Sequence, residues 1–128
     1  VDSPRLAKKI SEASLRLNKK QRVLIQINSG GEETKKGFGF KDKKTIIECI
    51  KNEGILVEGL MTMGPNTQQT TKIEQAFIKT KSLFDEINKD LEIKMTTLSM
   101  GMSGDFRAAV LNGSTAIRIG TAIFGPRH

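Results

Sequence analysis

The chain has 128 residues, 37% of them hydrophobic and 27% charged, with a formal net charge of +7. That composition suits one globular domain of ordinary size, and no apolar run approaches the length that crosses a bilayer as a helix. A single cysteine, Cys49, excludes an internal disulfide framework and makes a reducing setting, the cytoplasm, the simplest expectation.

Residues 1–20 lack the apolar core of a signal peptide and read as an amphipathic helix. The first residue is Val1, not methionine, so a fragment, a processed product or a partial chain is expected. Cys49 lies beside Ile46, Ile47 and Ile50, where a thiol reads as a small buried hydrophobe in preference to a nucleophile. A lone His128 supplies neither a metal site nor a triad, and no cluster of His, Cys and carboxylates stands out. The lysines are scattered (Lys8, Lys9, Lys19, Lys20, Lys35, Lys36, Lys43, Lys44, Lys79, Lys81), and there is no Tyr or Trp to stack bases. The positive charge therefore reads as a solvated surface and not as a nucleic-acid interface.

Ser3 and Pro4 open the first predicted helix as N-cap and first-turn residue. Leu6, Ile10, Ala13 and Leu17 form its expected apolar stripe, and Asn18 ends it. Residues 23–28 form an almost unbroken apolar strand, as in a sheet covered on both faces. The loop 29–37 follows. A second helix is predicted over 41–52, ending at Gly54, then a strand over 55–61 and a break at Gly64-Pro65. Thr71 and Glu74 make a capping-box pattern for a long third helix, with Ile73, Phe77, Thr80, Phe84, Ile87 and Leu91 facing inward. A short strand over 95–98 leads to a small-residue loop, 99–104. A compact helix over 105–111 ends at Asn112-Gly113, and the last strand covers 116–119 before Gly120-Thr121. The order αβαβαβαβ predicts a parallel sheet. Periodicity alone leaves an open doubly wound domain and half of a barrel as alternatives.

In either architecture, ligands bind at the C-terminal strand ends. The loop Ser99-Met100-Gly101-Met102-Ser103-Gly104 suits a phosphate: small residues admit an anion to the backbone, Ser99 and Ser103 add hydroxyls, and unpaired amides follow. The plain alternative is that Ser103 or Asp105 only caps the helix. Arg118 interrupts an apolar strand and needs a polar cavity or a structural partner such as Glu58. Gly120 and Thr121 offer a second donor-bearing turn, and two such turns side by side would form one phosphate cup. Met61, Met63, Met100 and Met102 also fall at strand ends, where thioethers line a flat ligand or fill the core.

Leu98-Ser99-Met100-Gly101-Met102-Ser103, then Gly113-Ser114-Thr115, then Arg118-Ile119-Gly120-Thr121-Ala122-Ile123-Phe124-Gly125 together resemble the pyridoxal-phosphate homeostasis protein family, also called proline synthase co-transcribed homologue. The segments Val23-Leu24-Ile25-Gln26-Ile27-Asn28, Gly31-Glu32-Glu33-Thr34-Lys35 and Val57-Glu58-Gly59-Leu60-Met61-Thr62-Met63-Gly64 resemble it as well. The resemblance implies a (β/α)₈ TIM-barrel-type α/β fold like the N-terminal domain of bacterial alanine racemase. Residues 1–128, with about four strands and four helices, would be its C-terminal half. It also implies a non-enzymatic carrier or buffer of pyridoxal 5′-phosphate that serves pyridoxal-phosphate-dependent apoenzymes. Ser99 and Ser103 would contact the phosphate, Gly120 and Thr121 would donate from the neighbouring turn, and Arg118 would face the pyridine nitrogen. The implied cofactor-binding set is Ser99, Met100, Gly101, Met102, Ser103, Arg118, Gly120 and Thr121, with no catalytic and no metal-binding residue. The family's Schiff-base lysine lies on an early strand with no counterpart here.

Three rivals carry different requirements. A racemase on this fold needs a second acid–base group, usually a tyrosine from another domain, and the chain has no Tyr. A phosphosugar or nucleotide enzyme would use the same phosphate cup but needs a carboxylate or lysine at other strand ends; Glu32 and Glu33 are candidates, although a solvated loop position suits them better. A basic nucleic-acid binder is the weakest of the three.

Overall fold

The computed structural model describes residues 1–32 and 36–127. Glu33, Thr34, Lys35 and His128 lie outside the described residues, and with them the candidacy of Glu33.

Helix α1 (Pro4–Arg16) starts as its sequence requires, with Ser3 Oγ accepting the Leu6 amide at 3.2 Å and Pro4 in the first turn. It ends where Asn18 takes φ 53°, and the Lys19 amide then donates to the Ser14 carbonyl at 3.0 Å. The buried face differs from the expected stripe. Ala7, Ser11 and Ser14 are buried, whereas Leu6, Ala13 and Leu17 are exposed. A close approach explains the shift. Ser11 Oγ accepts the Gly54 amide at 2.8 Å, and a side chain on Gly54 would lie 2.1 Å from the Ser11 carbonyl oxygen. Only small residues let helix and turn meet so closely.

The remaining elements are β1 (Gln21–Ile27), α2 (Lys43–Ile50), β2 (Ile55–Thr62), α3 (Thr70–Lys89), β3 (Thr97–Met102), α4 (Phe106–Leu111), β4 (Ala116–Arg118) and a short α5 (Thr121–Phe124). The four strands form one parallel sheet in the order β1-β2-β3-β4. That order decides between the two architectures. A doubly wound sheet reverses its strand order at a switch point, whereas a barrel wall adds each strand beside the last. The sheet is a four-stranded length of barrel wall.

Its packing is one-sided. Ile25, Ile27, Leu60, Leu98 and Met100 have almost no exposed surface and share one core with Ala7, Ile46, Cys49, Phe77, Phe84 and Ile87 from the helices. The alternate residues Leu24, Gln26, Met61 and Arg118 face away from these helices, toward the interior side of the wall, and are half-buried within residues 1–128. Alternation between faces is the period of two that any strand imposes.

Three further expectations change. The N-cap of α3 is Gln69, without a side-chain cap bond, and no capping box forms at Thr71 and Glu74; Thr67 Oγ1 instead accepts the Gln69 amide at 3.2 Å. The inner stripe of α3 holds, with Phe77, Thr80, Phe84 and Ile87 buried. Strand β3 ends at Met102, not Leu98. Ser99 pairs with Ala116 and Met102 with Arg118, so β3 uses one more residue than β4 between those pairs. The extra residue makes a bulge, and Gly101 at φ 105° allows it. A run that resembles a loop therefore continues the strand. Finally, Gly120-Thr121 does not end in an open turn but begins α5, with Gly120 as N-cap.

Candidate functional site

The C-terminal ends of β3 and β4 stand side by side. The β3–α4 loop is short, Ser103-Gly104-Asp105, because β3 runs on to Met102. Ser103 Oγ accepts the amides of Gly120 at 3.3 Å and Ala122 at 3.0 Å from the β4–α5 turn. Two amides of that one turn thus converge on one oxygen. A cleft of about 540 Å³ opens beside this junction, lined by Met102, Ser103, Arg118, Gly120, Thr121 and Arg127 among others. Among the described residues no carboxylate lines it. A second cleft of about 500 Å³ lies on the other side of the loop, where Asp105 and Glu74 do contribute.

Arg118 is half-buried and held on two strands. Its Nη2 donates to the Thr62 carbonyl at the end of β2, 3.1 Å away, and its Nη1 donates to Ser99 Oγ on β3. A guanidinium has five N–H donors, so these two bonds leave capacity for a ligand. Burial lowers the Arg118 pKa from its ordinary value, and the nearby Asp105 carboxylate opposes that shift. The group stays charged throughout the physiological range. Glu58, the alternative partner weighed for Arg118, instead pairs with Arg22 across β1 and β2. Asp105 does not cap α4 through its side chain; its Oδ1 accepts the Met102 amide at 2.8 Å and ties the loop back to the end of β3.

The eight candidate residues divide into three groups. Met102, Ser103, Arg118, Gly120 and Thr121 line the cleft. Ser99 is 4% exposed and meets Arg118 instead of the cleft surface. Met100 and Gly101 lie in the packing layer. Met100 has no exposed surface and belongs to the helix-side core, and a side chain on Gly101 would meet Ala109 of α4 at 2.8 Å. The positive φ and close helix packing explain that glycine, so it is not needed for an anion's approach. Sequence reasoning passed over the Thr62 carbonyl, the Ala122 amide and Arg127. Backbone groups carry no residue-type signal, and Arg127 stands beyond the last element that periodicity could reveal.

As a donor set, the cleft offers the hydroxyls of Ser103 and Thr121 and the guanidinium groups of Arg118 and Arg127, with the amides of Gly120 and Ala122 held on Ser103 Oγ at its edge. It suits a phosphate monoester, whose oxygens accept only. Ser103 Oγ occupies the acceptor position for both amides, so an oxyanion at this junction would have to share those donors or displace the hydroxyl from them.

The family model for the alanine racemase N-terminal domain matches residues 1–128. The chain belongs to that family. Within the alanine racemase N-terminal-domain family, it is 38% identical over 128 residues to a "Pyridoxal phosphate homeostasis protein" of Aquifex aeolicus, covering 99% of this chain and 56% of that protein. It is 36% identical to the protein of the same name in Pasteurella multocida, covering 99% and 55%. Among solved structures, an unknown protein from Bifidobacterium adolescentis superimposes with a TM-score of 0.91 at 38% identity, covering 97% of this chain and 51% of that one. The PipY protein of Synechococcus elongatus with PLP bound superimposes with a TM-score of 0.84 at 25% identity, covering 98% and 58%. An alanine racemase from Clostridium difficile, at 23% identity and a TM-score of 0.80, shares the fold. The chain spans about half the length of the relatives it matches.

Proposed function

We propose that residues 1–128 are the C-terminal half of a barrel that binds pyridoxal 5′-phosphate and buffers or delivers it without catalytic turnover. One observation carries the reading: two turn amides converge on Ser103 Oγ at the mouth of a cleft that holds two arginines. Ser103 and Thr121 would hold the phosphate, joined by the amides of Gly120 and Ala122 once Ser103 Oγ turns from them to the ligand, and Arg118 would face the ring nitrogen. The names of the relatives and the PLP-bound PipY structure support the cofactor class. The lysine that bonds the cofactor covalently would lie outside residues 1–128.

Bound pyridoxal phosphate supplies an electron sink, strongest when its ring nitrogen is protonated. A fixed guanidinium beside that nitrogen opposes the proton. This chain's residues therefore favour holding the ring over activating it, which supports a carrier over a catalyst; in that reading it works in the cytoplasm and passes cofactor to apoenzymes. The cleft's own lining includes no Asp, Glu, His or Lys among the described residues to act as an acid–base partner, so the racemase reading draws no support from it.

The test is cofactor titration of the full-length protein, followed by absorbance. Ser103→Ala and Arg118→Ala are expected to weaken retention by about tenfold or more, as for a lost charge-assisted hydrogen bond. Borohydride trapping and mass analysis should place the covalent adduct outside residues 1–128. Unchanged retention in both variants, or an adduct on a lysine within this range, would overturn the assignment.

A further inference from the structure

We infer that Ser99 is a positioning residue: it acts through Arg118, fixing the guanidinium for the ring half of the cofactor, and does not hold the phosphate. The inference rests on the pyridoxal phosphate reading and revises the role that family resemblance implies for this serine.

Ser99 and Ser103 sit four residues apart in one run, yet the fold separates them. Ser103 lies in the loop beyond β3, lines the cleft and touches the neighbouring turn. Ser99 lies three residues inside β3, is 4% exposed and does not line the cleft. Its oxygen accepts from Arg118 Nη1. Arg118 pairs along the sheet with Met102, so its side chain must reach back toward the middle of β3 to meet Ser99. It also spans to β2, where the Thr62 carbonyl accepts Nη2 at 3.1 Å.

That carbonyl is itself anchored. Thr62 has no exposed surface, and its hydroxyl donates to the Ile27 carbonyl at 2.7 Å, at the end of β1. A planar guanidinium held at two of its nitrogens by two different strands has a fixed plane as well as a fixed centre. Without Ser99 Oγ it keeps one anchor and gains a rotation. A half-buried cation free to rotate offers a ligand less, because immobilising it must then accompany binding. The groups proposed above for the phosphate, Ser103, Thr121 and the amides of Gly120 and Ala122, are untouched by that change, since none of these four hydrogen-bonds to Ser99. The two halves of the ligand should therefore respond to different serines.

The experiment uses the full-length protein and two probes: inorganic phosphate, and 5′-deoxypyridoxal, which keeps the ring and lacks the phosphate. Wild type, Ser99→Ala, Ser99→Thr and Ser103→Ala are compared by calorimetric titration, with near-ultraviolet circular dichroism as a check on folding. Ser99→Ala is expected to weaken 5′-deoxypyridoxal roughly tenfold and to leave phosphate within about twofold. Ser103→Ala is expected to do the reverse. Ser99→Thr, which keeps the hydroxyl, should restore ring binding. If Ser99→Ala does not fold, Ser99→Cys, with a weaker acceptor of similar size, carries the same comparison. Loss of phosphate affinity in the Ser99 variants matching that of Ser103→Ala would make Ser99 a phosphate ligand and overturn the inference alone. An unchanged affinity for both probes would overturn it too. A wild type that binds neither probe nor pyridoxal phosphate itself would sink the cofactor reading, and the inference with it.

Discussion

Replacing Gly101 by alanine asks whether one absent side chain sets the whole β3–α4 corner. Gly101 has φ 105°. A left-handed backbone costs an L-residue about 1–2 kcal/mol. The added carbon would lie 2.8 Å from Ala109 Cβ, 3.0 Å from Phe106 Cα and 3.3 Å from Ile117 Cγ2. Two of those atoms cannot swing aside, so α4 must lift from β3, and overpacking of that kind costs about 1–3 kcal/mol. The stiffer unfolded chain offsets roughly 0.4–1 kcal/mol. The net expectation is a destabilisation of about 2–4 kcal/mol. Gly104→Ala is the control, because its added carbon meets nothing within 4 Å and its φ is not positive. Its effect should stay within about 0.5 kcal/mol. Urea unfolding followed by circular dichroism reads both. With a slope of about 2 kcal/mol per molar, the middle of the usual range, Gly101→Ala should lower the midpoint by roughly 1–2 M. Coincident midpoints for the two variants would refute the packing argument and return Gly101 to the list of ligand contacts.

Ser11→Ala strands the buried Gly54 amide that Ser11 Oγ accepts at 2.8 Å, and should cost about 1–3 kcal/mol in the same urea assay. Burial pushes the Cys49 thiol up from its ordinary value of 9.0, with Glu48 adding to the shift. A raised value means that the folded state holds the proton more tightly. The thiol's contribution is therefore complete below about pH 9 and is lost as pH rises through the folded value, so Cys49→Ala should flatten the alkaline limb of a stability–pH curve. An alkaline limb identical in both proteins would show that the thiol is not the group involved. The Arg22–Glu58 pair is open to solvent on the Arg22 side, so its coupling in a double-mutant cycle should be small and should shrink further in high salt; a coupling that salt leaves unchanged would refute this.

The parts of the fold that could be read in advance are those where a repeating pattern meets a continuous surface. The stripe of α3 and the parallel sheet follow from the periods of helix and strand. The errors fall where a single close contact overrides the pattern. Gly54 against Ser11 turned α1 onto its small residues, away from the expected leucine stripe. A glycine bulge carried β3 four residues past its expected end. At the site, Ser103, Arg118, Gly120 and Thr121 stood out because hydroxyls, a lone cation and small residues at strand ends are unusual in a buried sheet, and the fold places them on one cleft. Met100 and Gly101 belong to the same run but lie in the layer that packs on the helices, a use the same composition also serves. The partners of Arg118 were not legible at all. They depend on register across three strands and on a main-chain carbonyl, and neither is written in residue types.

The bonds that meet at Arg118 run from the end of β1, through Thr62, to β3 and β4. Such a chain makes the rim of the sheet a single mechanical unit. A ligand that displaced the guanidinium from inside the cleft would load hydrogen bonds that reach as far as the Ile27 carbonyl, at the other margin of the wall.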